Sequence, residues 1–512
     1  MSKTHAFGFS VITVFCVAAS MSACNSVHRN PAQAGTSAAL SEALRFEPNV
    51  LQSALRVKAF VASPAYDRSN CMEFLTRFQT LMAPEKIQEF DTQALKSSAE
   101  QTLQTLWETR RAMHEKLATL PENCIAESRG AFRVVRFLED YIGEWTRAQR
   151  PLDPTGFDFF TQPVPFFEKS DAYLSFSASP AQKFEFQNGD LLITRGVGYL
   201  SANIARIGTS ETQFSHVVIY HRDSVSGKQE TIESYVGEGV GTYDLNYALR
   251  NENARILVLR AKDSQLADRA ANQMYSRVTQ ALAAGSPLQY DFNFEWDNPD
   301  KMSCAEVARA AYKAASANQF VIPQYPSQIQ FRNTDFINRI GMGNGWTFAP
   351  GDMELDPRFE LVAEWRDLRL TRDSRQKDAI LTEMFKWMED RNYVLQDTLT
   401  SRIAGKIVWP ASHTVFWPMI RKATGAPGST PKVPKRVFQT MALLNEVGKA
   451  FLGKVKALDE EHEKRTGWPM NMTELYQAIE TLRGEDLALY QSGHKGRKES
   501  VIHRYFRPAK LD

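Results

Sequence analysis

Hydrophobic and polar positions divide the chain into stretches of different period. From residue 39 to about 150 apolar residues recur at helical spacing: Phe74, Leu75, Phe78 and Leu81, then Leu95, Leu103, Leu106, Leu117 and Leu120, then Phe132, Val135, Phe137, Leu138, Tyr141 and Ile142. Such a stripe belongs to a helix buried on one side. The pattern predicts antiparallel helices joined by short turns. Ser69-Asn70 is placed to cap the first, Pro84 suits the first turn of the next, and Pro121-Glu122-Asn123 ends the long one. Charged residues on these helices are expected to face water.

Residues 151–184 are rich in Pro and Phe, with Pro151, Pro154, Pro163 and Pro165 as breakers, and read as a linker lying over a core. From 185 to about 370 short β-branched runs take over. Leu191 to Thr194, Val217 to Tyr220, the alternating Glu230 to Tyr235, and Ala254 to Arg260 read as four strands. Ser224-Val225-Ser226-Gly227 fits a hairpin turn between the second and third. Residues 264–283 and 303–314 read as helices, the latter with Val307, Ala308 and Ala311 on one face. Residues 371–512 return to helical periods, with Phe385, Trp387 and Met388 in one helix and Val437, Leu443, Leu444, Val447, Phe451 and Leu452 in another. Pro427 to Pro434 is a loop. The basic tail from His494 to Lys510 is expected to be a solvated end, with contact to anionic lipid or cell-wall phosphate as the other reading. The fold class is α+β: a small antiparallel sheet between helical N- and C-terminal regions.

At 512 residues the chain exceeds one ordinary domain, so two or three are expected. With 43% apolar and 23% charged residues it is not a wholly disordered chain. A mean hydropathy of −0.38 excludes a polytopic membrane protein. Sixty-one basic residues against 59 acidic ones, a net +2, give no global reason to bind nucleic acid.

The N-terminus reads as an export signal over residues 1–23. Lys3 supplies the positive start, and Ala6 to Ala19 is an apolar run too short for a comfortable transmembrane helix. Met21-Ser22-Ala23-Cys24 resembles a bacterial lipobox, in which Cys24 is acylated and becomes the first mature residue. Met21 stands where Leu is usual, and a plain cleaved signal beside a chance cysteine is the alternative. Asn25 favours the outer membrane. Residues 24–38 read as a flexible tether. Cleavage leaves four cysteines: Cys24, Cys71, Cys124 and Cys304. Cys71 and Cys124 lie in one helical region and can pair in an oxidising compartment. That leaves Cys304 as the odd thiol.

Cys304 opens a helix, in Ser303-Cys304-Ala305-Glu306-Val307. Free amides and the positive helix end favour a thiolate there and can stabilise an oxyanion. A small cysteine buried on a packed helix has the same local sequence. His216 opens a strand and can exchange a proton with the thiol. His221, an odd number of residues on, lies on the opposite face. Glu233, on the adjoining strand, can hold the far imidazole nitrogen. Asp291, Glu295, Asp297 and Asp300 form an acidic stretch, read as a solvated loop or as a partner for a substrate ammonium. There is no HExxH, no CxxC and no phosphate loop, since Gly196-Val197-Gly198 lacks the rest of a dinucleotide fingerprint. No metal or cofactor is expected.

Taken together, Asn188-Gly189-Asp190-Leu191-Leu192, Phe214-Ser215-His216-Val217-Val218-Ile219-Tyr220, Ile232-Glu233-Ser234, Leu257 to Arg260, Tyr290-Asp291-Phe292 and Ser303-Cys304-Ala305-Glu306-Val307 resemble the NlpC/P60 superfamily. The resemblance is to its circularly permuted, papain-like YiiX/YebB-like branch of cysteine hydrolases, and covers residues 185–370. The order His, acid, Cys is what a permutation implies. The resemblance implies Cys304 as nucleophile, His216 as base, Glu233 as the orienting acid and Tyr290 at the pocket or oxyanion. It makes Gly189-Asp190 a structural turn. Ala305 departs from the Ser that related chains often carry.

These readings lead to a cell-envelope hydrolase, lipid-anchored through Cys24 and facing the periplasm. It is expected to cleave an amide of a cell-wall-related peptide through a Cys304 thioester. Two alternatives stand beside it: a thioesterase or acyltransferase using the same pair on lipid acyl groups, and a non-catalytic envelope binding module.

Overall fold

The strand-like runs pair into one antiparallel sheet in the computed structural model, which describes residues 31–83, 86, 89–149, 173–179, 184–208, 211–250, 252–294, 296–397, 402–424 and 432–511. The strands are β1 (Tyr173–Ser177), β2 (Leu191–Gly196), β3 (His216–Arg222), β4 (Gln229–Tyr235), β5 (Gly239–Asp244), β6 (Asn253–Ala261) and, after the small β7 (Ser327–Ile329) and β8 (Gly345–Thr347) hairpin, β9 (Phe359–Asp367). They run in the order β1-β9-β6-β2-β3-β4-β5, every neighbour antiparallel. Alternation sends Leu191, Ile193, Val217, Ile219, Leu257 and Leu259 to one face. Leu192, Val218, Tyr220, Ile256 and Val258 go to the other. Each such side chain, fully buried, stabilises by about 1.5–3 kcal/mol. A polar replacement such as Ile219→Asn would lose that term and bury an unpaired amide.

The first face is covered by helices that precede the sheet and by two that lie between its strands in sequence. Before the sheet come α1 (Pro31–Ala43), α2 (Val50–Ala62), α3 (Cys71–Leu81), α4 (Thr92–Lys116) and α5 (Glu122–Gln149). Asp91 caps α4 by accepting from the amides of Gln93 and Ala94. Asn70 does not cap α3 with its side chain: it donates to the Ala65 carbonyl and shapes the preceding turn. A disulfide joins Cys71 on α3 to Cys124 on α5, with Cα atoms 6.0 Å apart. One continuous apolar core runs from these helices through the sheet to α8 (Ser264–Ala283) and α9 (Cys304–Ala315). The boundary expected near residue 150 is therefore not a boundary of packing.

Several sequence expectations need correction. Residues 31–38, within the expected flexible tether, are helical: Pro31 opens α1 and alanines, the strongest helix formers, fill it. Residues 173–177 of the expected linker form the edge strand β1 on β9. The charges on α4 and α5 are not all solvated. Arg110, Arg136, Glu139 and Asp140 are buried, and they meet Arg255, Glu354, Glu364 and Arg366 in an ion cluster between helices and sheet. The leader with Cys24, Pro84, Glu295, residues 150–172 and 180–183 of the linker, and residues 427–431 of the Pro427–Pro434 loop lie outside the described residues.

A second core gathers around α11 (Leu368–Arg391). It takes in α6 (Tyr199–Arg206) and α10 (Asp335–Arg339), while α7 (Leu245–Arg250) packs on the other sheet face. After β10 (Tyr393–Leu395) come α12 (Trp417–Thr424), α13 (Lys435–Thr466), α14 (Met472–Gln491) and α15 (His494–Glu499). The basic tail is not a free end: β11 (Phe506–Pro508) pairs with β10, and Ile502, His503 and Phe506 are buried. Gly448 on α13 lies so close to Tyr199 that a Cβ would stand 2.3 Å from its ring. That brings α13 directly against α6.

Candidate active site

The strand β3 positions His216, and β4 positions its partners. β3 pairs with β4 as far as Ile219 against Ile232, and beyond that pair the strand ends carry His216 on β3 and Glu233 and Tyr235, two residues apart on one face, on β4. His216 Nε2 lies 2.8 Å from Glu233 Oε2. Glu233 is buried, and its other oxygen accepts from Thr231 Oγ1 at 2.6 Å. Both carboxylate oxygens are thus engaged. Tyr235 stacks on the imidazole with ring centres 5.2 Å apart. Nε2 is thus taken, and Cys304 lies close enough to the imidazole for its charge and hydrogen bonding to act on the ring.

Cys304 is the first residue of α9, whose opening amides have no partner within the helix. Two contacts fix this end. The Ser303 amide donates to Glu306 at 2.7 Å, and the Ser234 hydroxyl on β4 donates to the Met302 carbonyl at 2.7 Å. The strand that carries Glu233 therefore also anchors the turn that delivers Cys304. Burial raises the Glu306 carboxyl to about 7 against the hydrogen bonds from Ser303, which lower it.

His216 feels opposing influences. Burial acts to lower its pKa, but the charge and hydrogen bond of Cys304, followed by those of Glu233, prevail and raise it to about 10. The imidazole is therefore protonated across the neutral range. Tyr290, in the loop before α9, is buried beside the same groups. Burial, and then the charges of Cys304, Glu306 and Asp291, push its phenol well above 10. It remains an O–H donor at neutral pH.

Cys304, His216, Glu233 and Tyr290 line one cavity of about 340 Å³, so the four residues expected at the site come together. α6 lines the same cavity with Leu200, Ser201 and Ile204. His221 faces away, as its odd spacing implies, and stacks on Tyr275 of α8 at 3.9 Å. Gly189-Asp190 is a structural turn. Gly189 has φ +82°, a Cβ there would meet the Ala267 carbonyl, and Asp190 takes both arms of Arg260 at 2.7 and 2.8 Å. Asp297 of the acidic stretch pairs with Lys313 and Arg309 on α9. Thr231, Ser234 and Tyr235 were not foreseen as site residues. For Thr231 and Tyr235 the signal was the period of two on β4, which puts them on one face with Glu233; Ser234 carried none. Among the described residues no cluster of three or more His, Cys, Asp or Glu is placed to hold a metal ion. No known family's model matches the chain, and no curated protein or solved structure matches it.

Proposed function

We propose that the chain is a cysteine hydrolase of the cell envelope that cleaves an amide bond through a Cys304 thioester. The observation that carries this reading is the Cys304–His216–Glu233 chain at the wall of a cavity. A nucleophile hydrogen-bonded to a base that is itself oriented by a third group is the arrangement acyl transfer requires. The same residues support a circularly permuted, papain-like NlpC/P60 domain.

In the proposed cycle the Cys304 sulfur attacks the substrate carbonyl carbon. The oxyanion is met by the Cys304 amide and the Tyr290 hydroxyl. Imidazolium His216 gives its proton to the leaving amine, and the C–N bond breaks to leave a thioester. His216 then takes a proton from water, which attacks the thioester and releases the acid and Cys304. Glu233 keeps the ring in one orientation and offsets its charge. Lipid attachment at Cys24 and residence at the outer membrane, facing the periplasm, belong to the same proposal. The Cys71–Cys124 disulfide supports an oxidising compartment. Cell-wall-related peptides are the proposed substrates. Val197, Leu200 and Ile204 give the cavity an apolar arm, which favours lipid acyl groups as the second reading.

The test offers purified protein both muropeptides and acyl lipids, with acid quench and mass spectrometry of the peptide containing Cys304. Product with a transient acyl-Cys304 adduct, absent in Cys304→Ala, is expected with muropeptides. The same adduct with lipids alone would transfer the assignment to thioester chemistry. Turnover that persists in Cys304→Ala, or no adduct with either class, would sink the reading and favour a binding module.

A further inference from the structure

The C-terminal lobe carries a surface that neither core nor cavity uses. Residues 398–445 contain no Asp or Glu and seven Lys or Arg, whereas the chain's 59 acids in 512 residues would place five or six in a stretch that long. Within it, residues 402–424 are a run of short helical turns: Ala404–Val408, Trp409–Ala411 and α12. Arg402, Lys406 and Lys422 are exposed on it, as are Lys432, Lys435 and Arg436 where α13 begins. Among these cations stand large apolar side chains turned to water. Ile407 is 61% exposed, Val415 88%, Phe416 64% and Met419 68%. Half-buried Trp409 and Trp417 flank them.

A clustered apolar patch of this kind marks an interaction site. Its charge selects the partner. A second copy docking the same face would set cations against cations. A nucleic acid would use the bases and gain nothing from Val415, Phe416 and Met419. The interface of an anionic bilayer uses both features, with apolar tips in the headgroup boundary and cations on the headgroups. Among the described residues no helix is long and apolar enough to cross a membrane, so this surface would lie on the bilayer.

We propose that residues 402–422 form an interfacial contact with an anionic phospholipid bilayer. The contact is independent of Cys24 acylation and of catalysis. α13 packs both on the Ala404–Val408 turn and on α6, the wall of the cavity, so docking fixes the cavity relative to the lipid surface.

The experiment uses the chain from Asn25 onward, which retains every described residue and lacks both the apolar leader and the Cys24 thiol. It is co-sedimented with vesicles of phosphatidylethanolamine containing phosphatidylglycerol, and with phosphatidylcholine vesicles. Binding to the anionic vesicles that weakens with salt is expected. Lys406→Gln with Lys422→Gln should weaken it roughly 25-fold, at about fivefold per cation. Val415→Ser, Phe416→Ser and Met419→Ser together should weaken it about tenfold or more. Circular dichroism should show both variants folded as the parent. Three results each overturn the proposal: no binding to the anionic vesicles, equal binding to phosphatidylcholine, or binding unchanged in both variants.

Discussion

Replacing Cys304 with Ala should move the titration of His216, because the Cys304 sulfur is the largest influence raising it. The imidazole stands at about 10 instead of the usual 6.5. That difference corresponds to about 5 kcal/mol in favour of the imidazolium, at about 1.4 kcal/mol per pH unit. With the sulfur gone, burial still disfavours the charge and only Glu233 supports it. The midpoint should fall by about 1–3 pH units, the usual range for losing an opposite charge at contact distance. The assay is the imidazole nitrogen spectrum of histidine-labelled protein between about pH 5 and 11, with His216→Gln to assign the resonance. The sign extends to stability. A histidine whose folded pKa lies above the unfolded 6.5 contributes stability that is fully present below pH 6.5. That contribution disappears as pH rises through about 10. A wild-type midpoint near 6.5, or one that Cys304→Ala leaves in place, would refute the reasoning and dissolve the proposed pair.

Three further outcomes follow from the packing. Glu364→Ala should cost about 3–5 kcal/mol in urea denaturation, because it leaves Arg110, Arg255 and Arg366 buried without that carboxylate; a loss below about 1 kcal/mol would mean the cluster is solvated. Cys71→Ser with Cys124→Ser opens a link across 53 residues and should cost about 4 kcal/mol by chain entropy, read as a lower melting temperature; an unchanged melting point would exclude the bond. Burial lowers His114 to about 4, so the unfolded chain takes up the proton first and stability should fall by about 3 kcal/mol between pH 6.5 and 4. His114→Gln should flatten that slope, and a slope that persists would assign it to other groups.

The parts of the fold legible in the sequence are those that local periodicity encodes. The alternation of Glu230 to Tyr235 marked a strand with Glu233 on a defined face, and the spacing of His216 and His221 separated them correctly. The run Ser303 to Ala314 marked a helix with Cys304 at its start. What stayed hidden depends on distant partners. Arg110 and Glu364 lie 254 positions apart, and nothing near Arg110 distinguishes a buried guanidinium from a solvated one. β1 and β9 escaped notice because their partners are distant in sequence: β1 pairs with β9, and β9 with β6 as well. The Ser234 bond to Met302 was equally invisible, since a serine on a strand carries no mark of a carbonyl 68 residues on. The tail from His494 looked like a solvated end by its charge, yet Asp486 collects Ser500 and His503 and folds it back.

The central claim is that His216 activates Cys304. The direct measurement is the rate of iodoacetamide labelling at Cys304 between about pH 4 and 9, read by mass spectrometry, in wild type and in His216→Ala. The account expects rapid labelling already near about pH 6, where a free thiol reacts slowly, and a loss of about tenfold or more in the variant. Labelling that rises only with ordinary thiol ionisation, and is indifferent to His216, would contradict it.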